Sequence, residues 1–118
     1  METTLILPNE RPMSWNEMYA GLHWSARKAE VDRVHMLVRA SIDPDWPTYK
    51  KPVAITITAY FKAKRGQLDA SNIAAKLYED GLIGWLIVDD KPEFVRSMTT
   101  VSLLDKNNPR VEIEIREV

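Results

Sequence analysis

Asp69-Ala-Ser-Asn-Ile-Ala-Ala-Lys-Leu-Tyr-Glu-Asp-Gly-Leu-Ile-Gly-Trp-Leu-Ile-Val-Asp-Asp90 opens and closes on carboxylates, with one lysine between them. Asp69, Ser71 and Asn72 all favour a helix N-terminus, because a short side-chain oxygen accepts from an orphan N–H of the first turn. The spacing predicts a helix from this cap region to about Asp80, with Gly81 as the stop. Asn72, Lys76 and Asp80 then fall at i, i+4 and i+8, on one helix face. Ile73 and Leu77 fall on the neighbouring face and are expected to pack inward. Gly81-Leu-Ile-Gly84 leads into the apolar run Trp85–Val88, read as a short extra strand, which ends abruptly at Asp89-Asp90.

Adjacent carboxylates at the end of an apolar run repel each other. A divalent cation offsets that repulsion, and hard oxygen ligands suit magnesium or manganese. The chemistry that follows is phosphoryl transfer, in which the metal activates water and steadies charge on the phosphate. Lys76 is then expected near a phosphate oxygen or the leaving group. The residues taken alone also allow a structural reading, with Asp69 as a helix cap and Asp89-Asp90 as an exposed turn.

Outward from this stretch, the chain reads as strands and one longer helix. Val53–Phe61 alternates Val53, Ile55, Ile57 and Ala59 against Ala54, Thr56, Thr58 and Tyr60, the pattern of a strand with one buried face. It runs into Lys62-Ala-Lys-Arg-Gly66, which places Lys62, Lys64 and Arg65 just before Asp69. A basic stretch beside a metal site suits the docking of a phosphate backbone, although it also reads as a solvated loop. Upstream, Thr3–Leu7 is a first strand. Asn9–Asn16 is a loop broken by Pro12, with Ser14 as a turn or cap residue. His23 beside Trp24 is read as a hydrogen-bonded structural residue. Ser25 to about Ile42 is helical, with Val31, Val34, Val38 and Ile42 near a three-to-four-residue period, and Asp43-Pro-Asp-Trp-Pro47 ends it. Downstream, Val95–Leu104 is a strand, Asp105–Pro109 a turn and Val111–Ile115 a last strand. The order is β-α-β-α-β-β, an α+β fold of two helices on a mixed sheet.

Length and composition bound the rest. A chain of 118 residues suits one small domain, residues 1–118. There is no cysteine, which excludes disulfides and thiolate zinc sites and fits a reducing, cytoplasmic setting. No apolar run approaches the ~20 residues that span a membrane, and no basic segment precedes an apolar one at the N-terminus, so neither a membrane partner nor a secretion signal is expected. The net charge is −1 and the sequence pI about 6.1, which counts against a uniformly basic nucleic-acid binder. A nucleic-acid reading therefore requires the cations to gather on one surface.

The ordered residues Asp69, Asn72, Lys76, Asp80-Gly81-Leu82 and Asp89-Asp90 resemble the signature of the RusA family of Holliday junction resolvases. Leu5-Ile-Leu-Pro8, Ser14 and Asn16 resemble that family's opening strand and the loop after it. The resemblance implies a magnesium-dependent endodeoxyribonuclease, with manganese as an alternative ion, often carried by prophages. Its expected substrate is four-way junction DNA, cut by paired nicks in recombination and repair. It implies a homodimer, since paired nicks on a two-fold substrate need two sites related by a two-fold axis. On this resemblance Asp69, Lys76 and Asp90 are catalytic. Asp69 and Asp90 hold the metal with help from Asp89, Asp80 or Glu79, while Lys62, Lys64, Arg65 and Asn72 contact DNA. Two departures stand out: Ser71 replaces the family's usual second aspartate, and the interval from Asn72 to Lys76 is one residue longer than in well-known members. A junction-binding protein with a degenerate metal site, or a structural prophage protein retaining the fold, are the alternatives.

Overall fold

The computed structural model describes residues 1–118. Its elements are β1 (Glu2–Pro8), α1 (Trp15–Ala20), α2 (Trp24–Ala40), β2 (Val53–Phe61), α3 (Lys76–Leu82), β3 (Val95–Leu104) and β4 (Arg110–Glu117), with a 3₁₀ turn at Ala70–Asn72 before α3. The four strands form one mixed sheet in the order β1-β4-β2-β3. β4 pairs antiparallel with both β1 and β2, whereas β2 and β3 are parallel. Parallel neighbours need a crossover connection, and here the crossover is the stretch from Lys62 to Phe94 that contains α3. The fold is thus α+β, as the sequence predicts, with three helices rather than two.

The alternation in β2 explains the layering. Ile55 and Ile57 are fully buried beside Ile115 and Ile113 of β4, and Leu5 and Leu7 of β1 continue the same face. Val34 and Val38 of α2, Met18 of α1 and Leu77, Tyr78 and Leu82 of α3 join these residues in one hydrophobic cluster. The intervening positions, including Thr56, Thr58, Glu112 and Glu114, are half-buried, as expected for a sheet covered on one face.

Three expectations are corrected. The predicted helix over 69–80 is two pieces. Ile73 is extended and bridges Ser14, and the Ala74 N–H donates to the Met13 carbonyl at 3.0 Å. Backbone groups used across the fold cannot also continue a helical ladder, so Asn72 does not share a helix face with Lys76 and Asp80. Gly81 lies inside α3 rather than ending it: a Cβ there would stand 3.1 Å from the Val38 Cβ, so the glycine lets α2 and α3 approach. The left-handed glycine of this stretch is Gly84, at φ 81°. Trp85–Val88 is not a strand. Its backbone makes single bonds, from Gly84 N–H to Ile87 O at 2.8 Å within the turn and from the distant Tyr49 N–H to Leu86 O at 2.7 Å, leaving only isolated bridges at Ile87.

Two helix starts also differ. α1 starts inside the expected Asn9–Asn16 loop, because Ser14 Oγ accepts from the Glu17 N–H at 3.0 Å and donates to the Glu17 carboxylate at 3.2 Å, a cap joining two residues three apart. α2 starts one residue before Ser25, because the His23 ring nitrogen accepts from the Ser25 N–H at 3.2 Å and caps the helix.

Candidate functional site

Lys76 is the first residue of α3, and its side chain reaches three carboxylates. Glu79 and Asp80, three and four residues on, lie on the same helix face, each 3.1 Å from the ammonium. Asp90 arrives from the end of the apolar run and accepts a third hydrogen bond from Lys76. One oxygen of each acid lies within 4.8 Å of the others, so Glu79, Asp80 and Asp90 form a group able to hold a metal ion.

The electrostatics of this group are uneven. Glu79 is only 5 % exposed, and burial pushes its carboxyl up against the opposing pull of Lys76. Asp90 is more open, and the hydrogen bond from Lys76 holds it below the usual carboxylate range. Burial alone would lower Lys76, but its bonds to Asp90, Glu79 and Asp80 together outweigh that and hold it above the ordinary lysine range. Three carboxylates share one ammonium. With all four groups ionised, two negative charges stand uncompensated inside the cluster, and a divalent cation matches that excess. The donors are all hard oxygens, which suits magnesium or manganese rather than a soft ion.

The other sequence-predicted residues are not members of this three-acid group. Asp69 is exposed at the entry to the 3₁₀ turn, in a shallow cavity shared with Lys64, Gln67, Leu68, Ala70 and Ser102. Its segment is fastened to β3 by hydroxyls: Thr100 donates to the Ala70 carbonyl at 2.9 Å, and Ser102 donates to the Leu68 carbonyl. Asp89 turns away from Lys76; its Oδ1 accepts from the Asp90 N–H at 2.8 Å, and its other oxygen lies 3.9 Å from Lys91. Asp89 therefore shapes the backbone that presents Asp90. Ser71 is exposed at the turn. Asn72 Oδ1 accepts from the Asn16 N–H at 3.3 Å, tying the turn to the start of α1.

Lys62, Lys64 and Arg65 are exposed on the loop leaving β2, and none makes an ion pair. Arg11 joins them, donating to the Gly66 carbonyl at 3.2 Å. Arg11 was not singled out from the sequence, since only the fold brings it to a loop more than fifty positions away.

A second charged group sits nearby and is structural. Glu10 is 6 % exposed; Arg33 donates to both its oxygens at 3.0 Å, and Tyr78 donates to it at 2.7 Å. Arg33 also holds Glu30. Burial raises the Tyr78 hydroxyl, keeping it a donor, and bonds to Glu30 and Glu10 raise Arg33. This network locks the loop after β1 to α2 and α3, and so fixes the helix that carries Lys76.

No protein-family model matches the chain, and no curated protein matches it in sequence. No helix is long and apolar enough to cross a membrane.

Proposed function

We propose that this chain is a metal-dependent endodeoxyribonuclease that nicks four-way DNA junctions, similar to the RusA resolvases its central stretch resembles. The observation that carries the reading is the group around Lys76: three carboxylates on one ammonium, one of them nearly buried, on the crossover that begins with an unpaired basic loop.

Asp80, Asp90 and Glu79 are the residues that would hold a magnesium or manganese ion, and Asp69 joins them on the strength of the resemblance. When bound, such an ion supplies Lewis acidity that activates water and offsets phosphate charge. Lys76 supplies fixed positive charge. Its elevated pKa makes it a poor proton donor near neutrality, so its role is to stabilise the charge that develops on the phosphate. Because its side chain is 44 % exposed, the ammonium has room to turn from the acids toward a phosphate. Lys62, Lys64 and Arg65 position the DNA backbone, Asn72 contributes a further polar contact, and two copies of the chain act on one junction.

A second reading has its own support. Ser71 is a neutral, weak ligand where the family pattern has an aspartate, and Lys76 already satisfies part of the acidic group. Both fit a junction-binding protein that cuts slowly or not at all.

The test is incubation of a labelled four-way junction, beside a linear duplex, with and without magnesium or manganese. Junction-selective, metal-dependent nicking that disappears in Asp90→Asn is expected. Retention of the junction without nicking selects the binding reading, and absence of both rejects a DNA function at this site.

A further inference from the structure

The basic loop borders a cavity of about 280 Å3 whose lining does not include Lys64 or Asp69. Arg11, Lys62 and Arg65 bring three cations to it, and Tyr60, Phe61 and Pro109 give it apolar surface. None of these three cations has a carboxylate partner. The one acid in the lining, Glu10, has both oxygens committed to Arg33 and one also to Tyr78, so it does not cancel them.

The aromatic wall is held in place. The Arg110 guanidinium lies 3.7 Å from the Tyr60 ring centroid, and Arg110 is itself fixed by Asp105 at 2.8 Å and Glu112 at 2.6 Å. The cation wall is partly fixed too, through the bond from Arg11 to Gly66. Asn9, at φ 59°, is the only non-glycine residue in the left-handed region, and it forms the rim where β1 hands over to this loop. Unpaired cations beside a pinned aromatic ring, in a space of small-ligand size, match the two halves of a nucleotide: phosphate and base.

We infer that this cavity takes one unpaired nucleotide of a DNA strand, with Arg11, Lys62 and Arg65 on its phosphate and Tyr60 against its base. The inference rests on the DNA-binding half of the reading above and not on cleavage. A base inside an intact duplex has no free face to offer, whereas a nucleotide at a junction or in a single strand does.

The full-length protein, labelled with 15N, is titrated with thymidine 5′-monophosphate, thymidine, inorganic phosphate, a short oligothymidylate and a paired duplex. Thymidine monophosphate and the oligonucleotide are expected to shift the amides of Arg11, Lys62 and Gly66. The oligonucleotide should bind the more tightly, and the duplex, which offers these cations only its backbone phosphates, should shift these amides less. Tyr60→Leu should weaken the mononucleotide about fivefold or more while leaving phosphate nearly unchanged. Arg65→Ala, exposed and outside the core, should weaken both. Equal binding of phosphate and mononucleotide, indifferent to Tyr60→Leu, overturns the base contact. Duplex binding equal to that of the oligonucleotide overturns the requirement for an unpaired nucleotide, and mononucleotide binding without oligonucleotide binding overturns the strand as its source. Repeating the titration in Asp90→Asn separates the two readings. Pocket binding without wild-type cleavage sinks the nuclease alone, and cleavage without these shifts sinks the pocket alone.

Discussion

Replacing Lys76 with methionine removes the ammonium while keeping a side chain of similar length, so it isolates the charge at the centre of the acidic group. The Lys76–Glu79 pair has one nearly buried end, and a charge-assisted bond of that kind contributes about 1.5 kcal/mol. The Asp80 and Asp90 pairs are over a third and about a third exposed on the acid side, and solvent limits each to a few tenths of a kcal/mol. The expected loss at neutral pH is therefore about 2 kcal/mol, or roughly 8 °C in melting temperature for a chain of this size. The loss should depend on pH in a defined sense. Asp90 is depressed by Lys76, so its contribution is present above the ordinary aspartate range and fades as pH falls through its lower folded value. Glu79 is raised by burial, so the stability tied to its protonation is present below its ordinary value and lost as pH rises through the raised one. Without Lys76 to oppose it, that rise is larger. Both effects widen the gap between variant and wild type from acid toward neutral pH and close it near the bottom of the carboxylate range. Manganese should stabilise the variant more than wild type, with the variant gaining about 2.7 kcal/mol at a hundredfold excess over its own Kd. Thermal melts across pH, with and without manganese, measure all of this. A variant as stable as wild type at neutral pH, with a melting point that ignores manganese, refutes the account of the site as an over-acidic cluster.

Three further outcomes are expected. Tyr78→Phe removes a buried bond to the Glu10 carboxylate and should cost about 2 kcal/mol in urea unfolding; an unchanged midpoint would show that the network does not brace α3. Gly84→Ala meets no atom within 4 Å but must adopt φ 81°, so strain alone should cost about 1 kcal/mol, and a neutral result would mean the turn relaxes. Lys64→Ala combined with Arg65→Ala should leave stability unchanged and make DNA binding less salt-dependent, by about 0.9 in log-log slope per lost contact on duplex DNA; an unaltered slope would remove this loop from the phosphate path.

The parts of the fold written in local periodicity were legible. β2 alternates because one sheet face is covered, and α2 repeats Val31, Val34 and Val38 because one side of it is packed. The parts decided by distant chain were not. Nothing local to Ile73 says that Ser14 will pair with it, so a helix cap region became a turn and an extended step. α1 is a different case, because Ser14 and Glu17 carry a local cap signal while the prolines before them signal a loop. Around the candidate site, the helical spacing of Lys76 and Asp80 and the end of the apolar run at Asp90 were readable. The burial of Glu79 was not, because it depends on how α3 seats against α2.

The weak net charge looks unfavourable for a nucleic-acid enzyme until the charges are placed. Lys76 offsets only one of the three acids around it on α3 and the turn at Asp90, and Arg33 is consumed by Glu10 and Glu30. Arg110 is likewise consumed by Asp105 and Glu112. At the end of β2, four cations have no carboxylate partner, Arg11, Lys62, Lys64 and Arg65 on two adjacent loops, against the one unpaired acid Asp69. One crossover connection therefore begins in surplus positive charge and, past Asp69, reaches surplus negative charge. A polyanion needs the first to dock, and a divalent cation needs the second to stay. The β2-to-β3 crossover holds the two on different supports: the hydroxyls of Thr100 and Ser102 fasten its early part to β3, while α3, packed on α2 through Gly81, carries Glu79 and Asp80.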